Sequence, residues 1–438
     1  MFLSMNRELT CILSLSLCFM LLYSAESTMT NMQKIIVSSI SDDNPNFNVE
    51  GYTVTGVANT LFAVSLWIAP FSINALGTKL TMVLSAVACL GLVVPYLIEI
   101  DWMVYGEAII LGIASGFLWP ANGHYIIENS TPQTVGRNVG IFWTILRTSD
   151  LWGNLVVLYK FHGKKYIDQT TRRSVLYFLL AINISAVVAF TALPKPVNDQ
   201  TVNYSPIKTV KKCWVILTSY KMLLMLFTFS YTGLQQAFCS GIYSSSIGFT
   251  LAFGNSAKEL VALSGILMSI GGIIGGICPI VFSGWIRSHR YGRRLLVLTG
   301  CAAQLVAYII TFINLPDSAV FGNTDQLGLI TPSATLAMTG SVLLTFGDSC
   351  LNTQILSIIA DLYRESSAEA CAFYKFVKAI FISLNFYCCS HLGLHIQVAI
   401  LATMAVAGVS CFFVADSDIT IAPTEHKMSS QETPQTKK

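Results

Sequence analysis

Charge is scarce in these 438 residues: Asp, Glu, Lys and Arg together make up 11%, against about 25% in soluble globular domains. A chain so poor in ionisable side chains has no means of covering a water-facing surface, and a soluble fold is excluded. Catalytic apparatus is equally thin. There is no phosphate-cradling loop of the G-x-x-x-x-G-K-[ST] type, no cluster of metal ligands and no nucleophile beside a base, so neither an enzyme nor a cofactor is expected. The 12 cysteines have no regular spacing and mostly lie within apolar runs, where they read as small fillers rather than a disulfide or zinc framework. Strict apolar–polar alternation is missing too, as "LLVLTGCAAQLVAYIITFI" illustrates, and a transmembrane β-barrel is excluded with it.

Apolar residues, by contrast, make up 53% of the chain. A bilayer core of about 30 Å is crossed by about 20 apolar residues in a helix, and windows of that length recur at 8–38, 51–76, 80–100, 103–128, 137–160, 174–193, 222–248, 257–286, 293–314, 334–360, 369–390 and 391–414. The pattern predicts an all-α membrane protein of twelve transmembrane helices whose first partner is the lipid bilayer. The opening window, with Arg7 ahead of "LTCILSLSLCFMLLYSA", also fits a signal peptide ending at Ala25. Helical patterning continues through "TMTNMQKIIVSSI", which favours a retained helix.

Residues 194–221, "PKPVNDQTVNYSPIKTVKKCWVILTSYK", form the longest polar, Pro-containing segment between windows. Six windows lie on each side. The expected organisation is therefore a six-helix half over 1–193, a cytoplasmic linker over 194–221, a second half over 222–414 and a cytoplasmic tail over 415–438. With both termini inside, sixteen of the 26 Lys and Arg residues fall on the cytoplasmic side and seven outside, as the positive-inside rule favours. Cations distributed in this way set topology and do not make a nucleic-acid surface.

The connections "NALGTKLTM" and "GWIRSHRYGRRLL" occupy equivalent places in the two halves, aligning Gly77 with Gly292. Parallel repeats of this kind are a signature of the major facilitator superfamily. The second connection resembles that superfamily's cytoplasmic latch at Arg290, Gly292, Arg293 and Arg294, with His289 where the superfamily has an acid. The first keeps only Gly77 and Lys79. Latching and plain topological anchoring both fit the arginines. The segments "GRNVGIFWTILRTSDLWGN", "YTGLQQAFCSGIY", "LSGILMSIGGIIGG", "GDSCLNTQILSII" and "KFVKAI" look like the uncoordinated-93-like branch of the same superfamily. That resemblance implies the twelve-helix fold in two six-helix halves. It leaves function divided between transporter-like members, which move a small solute, and accessory subunits that regulate a potassium channel or escort a membrane receptor.

The candidate site residues come from polar stripes inside apolar windows. Ser341, Thr345, Asp348 and Asn352 are spaced 4, 3 and 4 on one helix face, and Thr228, Thr232, Gln235 and Cys239 repeat the spacing in window seven. By resemblance, windows one, four, seven and ten line the central cavity, which adds Glu26, Glu107, Trp119 and Asn122. For the hydroxyls the bland role, bonding a neighbouring helix for about 0.6 kcal/mol each, is the expected one. Acids differ, because a charge at the bilayer centre costs at least about 2.5 kcal/mol unless it is paired or wetted. Asp348 and Glu26 are therefore the sharpest candidates. Lys375 and Lys378, entering window eleven from the same side, are the candidate charge partners; a rise of about 1.5 Å per residue puts Lys378 about 4 Å shallower than Asp348, within reach of its side chain, while Lys375, shallower still, could snorkel out instead. Gly112 with Gly116, and the overlapping faces Gly271/Gly275 and Gly272/Gly276, are expected to permit close helix crossings.

Overall fold

The computed structural model describes residues 2–131, 134–196, 218–282, 289, 291–363 and 367–429. Among them the regular structure is helical. The helices are α1 (Phe2–Asp43), α2 (Gly51–Ser65), α3 (Ala69–Leu76), α4 (Thr78–Ala88), α5 (Val94–Ile98), α6 (Asp101–Glu128), α7 (Val135–Arg147), α8 (Ser149–Phe161), α9 (Gln169–Ala192), α10 (Tyr220–Ala237), α11 (Tyr243–Phe249), α12 (Glu259–Val281), α13 (Gly292–Asn314), α14 (Ala334–Leu362), α15 (Ser367–Cys389) and α16 (Leu394–Ser429). Nine helical stretches among the described residues are long and apolar enough to cross a bilayer, one of them, Thr78–Ile98, joining α4 and α5 through a 3₁₀ turn. The other three expected windows carry broken helices: α2 and α3 in 51–76, α7 and α8 in 137–160, and α10 and α11 in 222–248.

Proline and a π-helical turn mark two of the breaks, and side chains cap several helix starts. Pro70 opens α3, where its missing N–H is harmless, and Pro95 opens α5 after a 3₁₀ turn at Cys89–Val93. A π-helical turn at Phe238–Ile242 separates α10 from α11; such turns often accompany functional sites. Side chains of Glu50, Asp168, Ser219 and Ser333 cap the starts of α2, α9, α10 and α14 by accepting backbone N–H bonds. Asp168, in the loop before α9, also takes hydrogen bonds from Lys164 and Thr171, which hold its carboxyl well below the usual carboxylate range. At the ends of the chain, α1 is continuous from Phe2 and α16 runs on to Ser429, beyond the expected limits at 8 and 414. Hydropathy marks only the stretch that matches the bilayer, and helix geometry has no reason to stop there.

The surface is apolar where lipid would lie. Leu80, Leu84 and Val87 on α4, and Ile270, Ile274 and Ile277 on α12, form exposed stripes at helical spacing. Buried apolar side chains fall into separate clusters. One is built almost wholly from α10 to α16, and the other two from α1 to α9 with three contributions from Phe249, Val261 and Ala262.

Small residues set the tightest crossings. A Cβ on Gly112 would overlap the Ala58 carbonyl and one on Gly116 would overlap Ser65, so α6 lies directly on α2. In the other half, Gly271 and Gly275 stand against the Val342 and Phe346 carbonyls, putting α12 on α14 in the same way. Of the two overlapping faces this one makes the close crossing: a Cβ on Gly272 would meet Ser349 only at an ordinary 3.6 Å, and one on Gly276 would meet nothing within 4 Å among the described residues.

Contacts between the first nine helices and the last seven include a group at the end of the bundle remote from the termini, and they continue at mid-depth, where Ser269 donates to the Arg147 carbonyl at 2.8 Å and Trp67 meets Phe376 at 5.3 Å. Asn31 donates to the Val261 carbonyl at 3.1 Å, Ser383 Oγ to the Gly56 carbonyl at 2.6 Å, and His162 meets Glu259 at 2.7 Å. Gly265 lies where a Cβ would come within 2.6 Å of Asn154, and Gly56 where one would come within 2.9 Å of Tyr387. At that same end Arg172, fully buried, bonds Ser39, Asp43 and Glu99.

Candidate functional site

Asp348 is the midpoint of α14 and Lys378 the midpoint of α15. They do not meet directly. Asn352, one turn beyond Asp348, stands between them: its amide donates to Asp348 Oδ1 at 2.7 Å and to the Asp348 carbonyl at 2.7 Å, while its own Oδ1 accepts from Lys378 Nζ at 2.8 Å and from the Tyr374 hydroxyl. The expected acid–lysine pair is thus bridged by an amide. The reason is geometric, because the i, i+4 step on α14 places Asn352 within reach of the lysine while leaving the carboxylate behind it. All three of Asp348, Asn352 and Lys378 keep accessible surface although the helices around them are packed. Arg147 and Cys239 also lie within electrostatic reach of Lys378.

The stripe on α10 does something else. Thr228 donates to the Gly408 carbonyl of α16 at 2.8 Å and Thr232 to the Phe229 carbonyl of its own helix. Gln235 donates to the Leu344 carbonyl of α14 at 3.1 Å and to Cys239 Sγ. All three residues are fully buried. Their geometry is that of helix–helix contact, the bland role expected of hydroxyls, and Gln235 ties α10 to α14 one turn from Asp348. Thr345 likewise returns its hydroxyl to the Ser341 carbonyl of its own helix, although it keeps some accessible surface.

On the facing half, Trp119 of α6 is the centre of an aromatic cluster. Its Nε1 donates to the Tyr23 hydroxyl at 2.6 Å, and it stacks on Trp143 at 5.5 Å and 22°. Lys375, from the opposite half, holds its ammonium 5.1 Å from the Trp119 ring centroid, a cation–π arrangement. Lys375 therefore has an aromatic partner where a carboxylate was expected. Glu26 points elsewhere, within electrostatic reach of Tyr23 and Cys89, and one of its carboxylate oxygens is buried with no hydrogen-bond partner. Asn122 is buried, and its Oδ1 is likewise unpartnered. The aromatic cluster was not foreseen, because Tyr23, Trp119 and Trp143 come from three separate windows and only the tertiary fold joins them.

Beyond the bundle centre, Arg290 lies outside the described residues, and Gly292 opens α13. Arg293 pairs with Asp361 at the end of α14 and, at 3.1 Å, with Asp416 of α16; Arg294 Nε reaches the second Asp416 oxygen at 2.8 Å. With His289 standing where an acid was expected, Asp361 and Asp416 supply the anions, from α14 and α16.

Taken together, the helical bundle, its apolar exterior and its charged mid-depth residues define an integral, multi-pass membrane protein with a major-facilitator-type fold. Its backbone superimposes on the nucleoside transporter NupG with a TM-score of 0.65 at 13% identity, covering 92% of this chain and 98% of that one. A peptide transporter POT mutant in complex with sulfate gives a TM-score of 0.68 at 12% identity over 94% of each chain. Residues 46–413 match the family described as ion channel regulatory protein UNC-93, and the chain belongs to that family. It is 32% identical to the UNC93-like protein MFSD11 of Xenopus laevis, covering 95% of this chain and 97% of the relative.

Proposed function

We propose that this protein moves a small solute across a membrane by alternating access, with residues 1–193 and 222–414 as the moving halves, 194–221 as their linker and both termini in the cytoplasm. The observation that carries this reading is the bridged cluster of Asp348, Asn352, Tyr374 and Lys378. It sits at the midpoints of two long apolar helices, and Asp348, Asn352 and Lys378 in it keep accessible surface. Charged groups at such a depth are tolerated when paired or wetted, and they mark solute and ion pathways. The inter-half contacts, from Asn31 with Val261 to Lys375 with Trp119, trace the seam along which the halves would move.

Loss of flux on neutralising the cluster tests the proposal. In proteoliposomes supplied with a solute mixture, Asp348→Asn is expected to fold normally and abolish uptake, and Asp348→Asn with Lys378→Met to recover part of it by removing the charge left behind. Uptake equal to the parent in Asp348→Asn sinks the reading. The family description favours a second reading, an accessory subunit of an ion channel. Affinity capture of a channel in stoichiometric amount, undisturbed by Asp348→Asn, supports that alternative.

A further inference from the structure

Among the described residues, Lys375 alone of the cations at the bundle centre is left without an anion. Lys378 is joined to Asp348 through Asn352, and Asp150, three residues along, lies within electrostatic reach of Arg147. The Cys371 thiol and Lys378 lie within electrostatic reach of the Lys375 ammonium, and no carboxylate among the described residues pairs with it. Its contact is the Trp119 ring. A cation–π contact is weaker than a charge-assisted hydrogen bond to a carboxylate, which is also directional. The contact is also made across the seam, since Trp119 is on α6 of one half and Lys375 on α15 of the other.

We infer that Lys375 is the anion-recognising group of the solute site, and that the solute carries a carboxylate. This deepens the transport reading above and rests on it. Drawing the two halves together around an unneutralised ammonium removes water from an unpaired charge, which is costly. Closing them around an ammonium paired with a carboxylate incurs far less of that penalty. An anionic solute at Lys375 therefore binds the closed arrangement better than the open one. Such differential affinity is the only means by which a ligand shifts a conformational equilibrium. Trp119 has Trp143 and Lys375 against its ring, so no stacking on it is assigned to the solute.

The test uses the purified full chain in nanodiscs and matched acid–amide pairs: benzoate with benzamide, lactate with lactamide, and succinate with succinamide. The carboxylates are expected to raise the thermal-unfolding midpoint and the amides to leave it unchanged. Lys375→Gln is expected to weaken carboxylate binding about tenfold or more, while Lys375→Arg retains it. Equal binding of acid and amide, binding by none of the acids, or carboxylate binding unchanged in Lys375→Gln overturns the inference. Proteoliposome uptake separates the two readings. Carboxylate binding that depends on Lys375 without any uptake leaves the anion site standing and removes transport. Uptake of a solute that is indifferent to Lys375→Gln leaves transport standing and removes the anion site.

Discussion

Arg172 offers the most direct energetic test of the fold. Its side chain is 0% exposed, its Nη1 bonds Ser39 and, at 2.8 Å, Asp43, and its Nη2 reaches Glu99 at 3.0 Å, so one guanidinium ties α1, the turn after α5 and α9 together. At an effective dielectric near 20 a unit-charge pair at that separation attracts by about 5 kcal/mol, and desolvation of both partners offsets much of it. The asymmetric change is the informative one. Arg172→Met keeps the length of the side chain but leaves Glu99, 13% exposed, with only Arg173 at 3.9 Å. Breaking a buried pair from one side costs about 3 to 5 kcal/mol. Asp43 is 45% exposed and regains water, adding at most about 1 kcal/mol. A loss of about 3 kcal/mol is therefore expected, with about 2 kcal/mol restored when Glu99→Gln is added. Unfolding free energies by steric trapping in bicelles would give the cycle directly. A single-variant loss below about 0.5 kcal/mol, or no recovery in the double variant, refutes the argument that Arg172 is a buried charge clamp.

Two further expectations come from packing and from the arginine network. Gly275→Ala drives a methyl into the Phe346 carbonyl whereas Gly276→Ala meets nothing within 4 Å; the first is expected to lower stability by about 1 to 3 kcal/mol and the second to leave it unchanged or raise it slightly. Equal thermal stability of the two variants would show that α12 does not rest on α14 at this point. Arg293→Gln with Arg294→Gln removes the pairing to Asp361 and Asp416. If those pairs hold the ends of α13, α14 and α16 in one arrangement, labelling of single cysteines placed on α14 by thiol reagents should change while expression is kept. Unchanged labelling together with an inverted topology assigns the arginines to membrane anchoring alone.

Fold class, membrane residence and family were legible in the linear sequence, because they depend on properties summed over many residues: scarcity of charge, the recurrence of apolar windows and the order of distinctive segments. The importance of Asp348 was legible for a related reason, since an acid in an apolar run has a cost that no local arrangement removes. Partners were another matter. That Asn352 stands between Asp348 and Lys378, that Lys375 rests on Trp119, and that Asp361 and Asp416 answer Arg293 and Arg294 all depend on how separate helices are rotated about their axes and set against one another. Helical spacing shows which residues share a face, as with the Thr228, Thr232 and Gln235 stripe. It is the same whether that face meets a neighbouring helix or open space. The choice between Gly271/Gly275 and Gly272/Gly276 is of the same kind: each pair is four apart and chemically identical, and only the docking of α12 on α14 decided which pair lies at the crossing. Periodicity along one chain fixes relative angles within a helix, while contact between helices depends on an absolute rotation that the packing of the whole bundle sets.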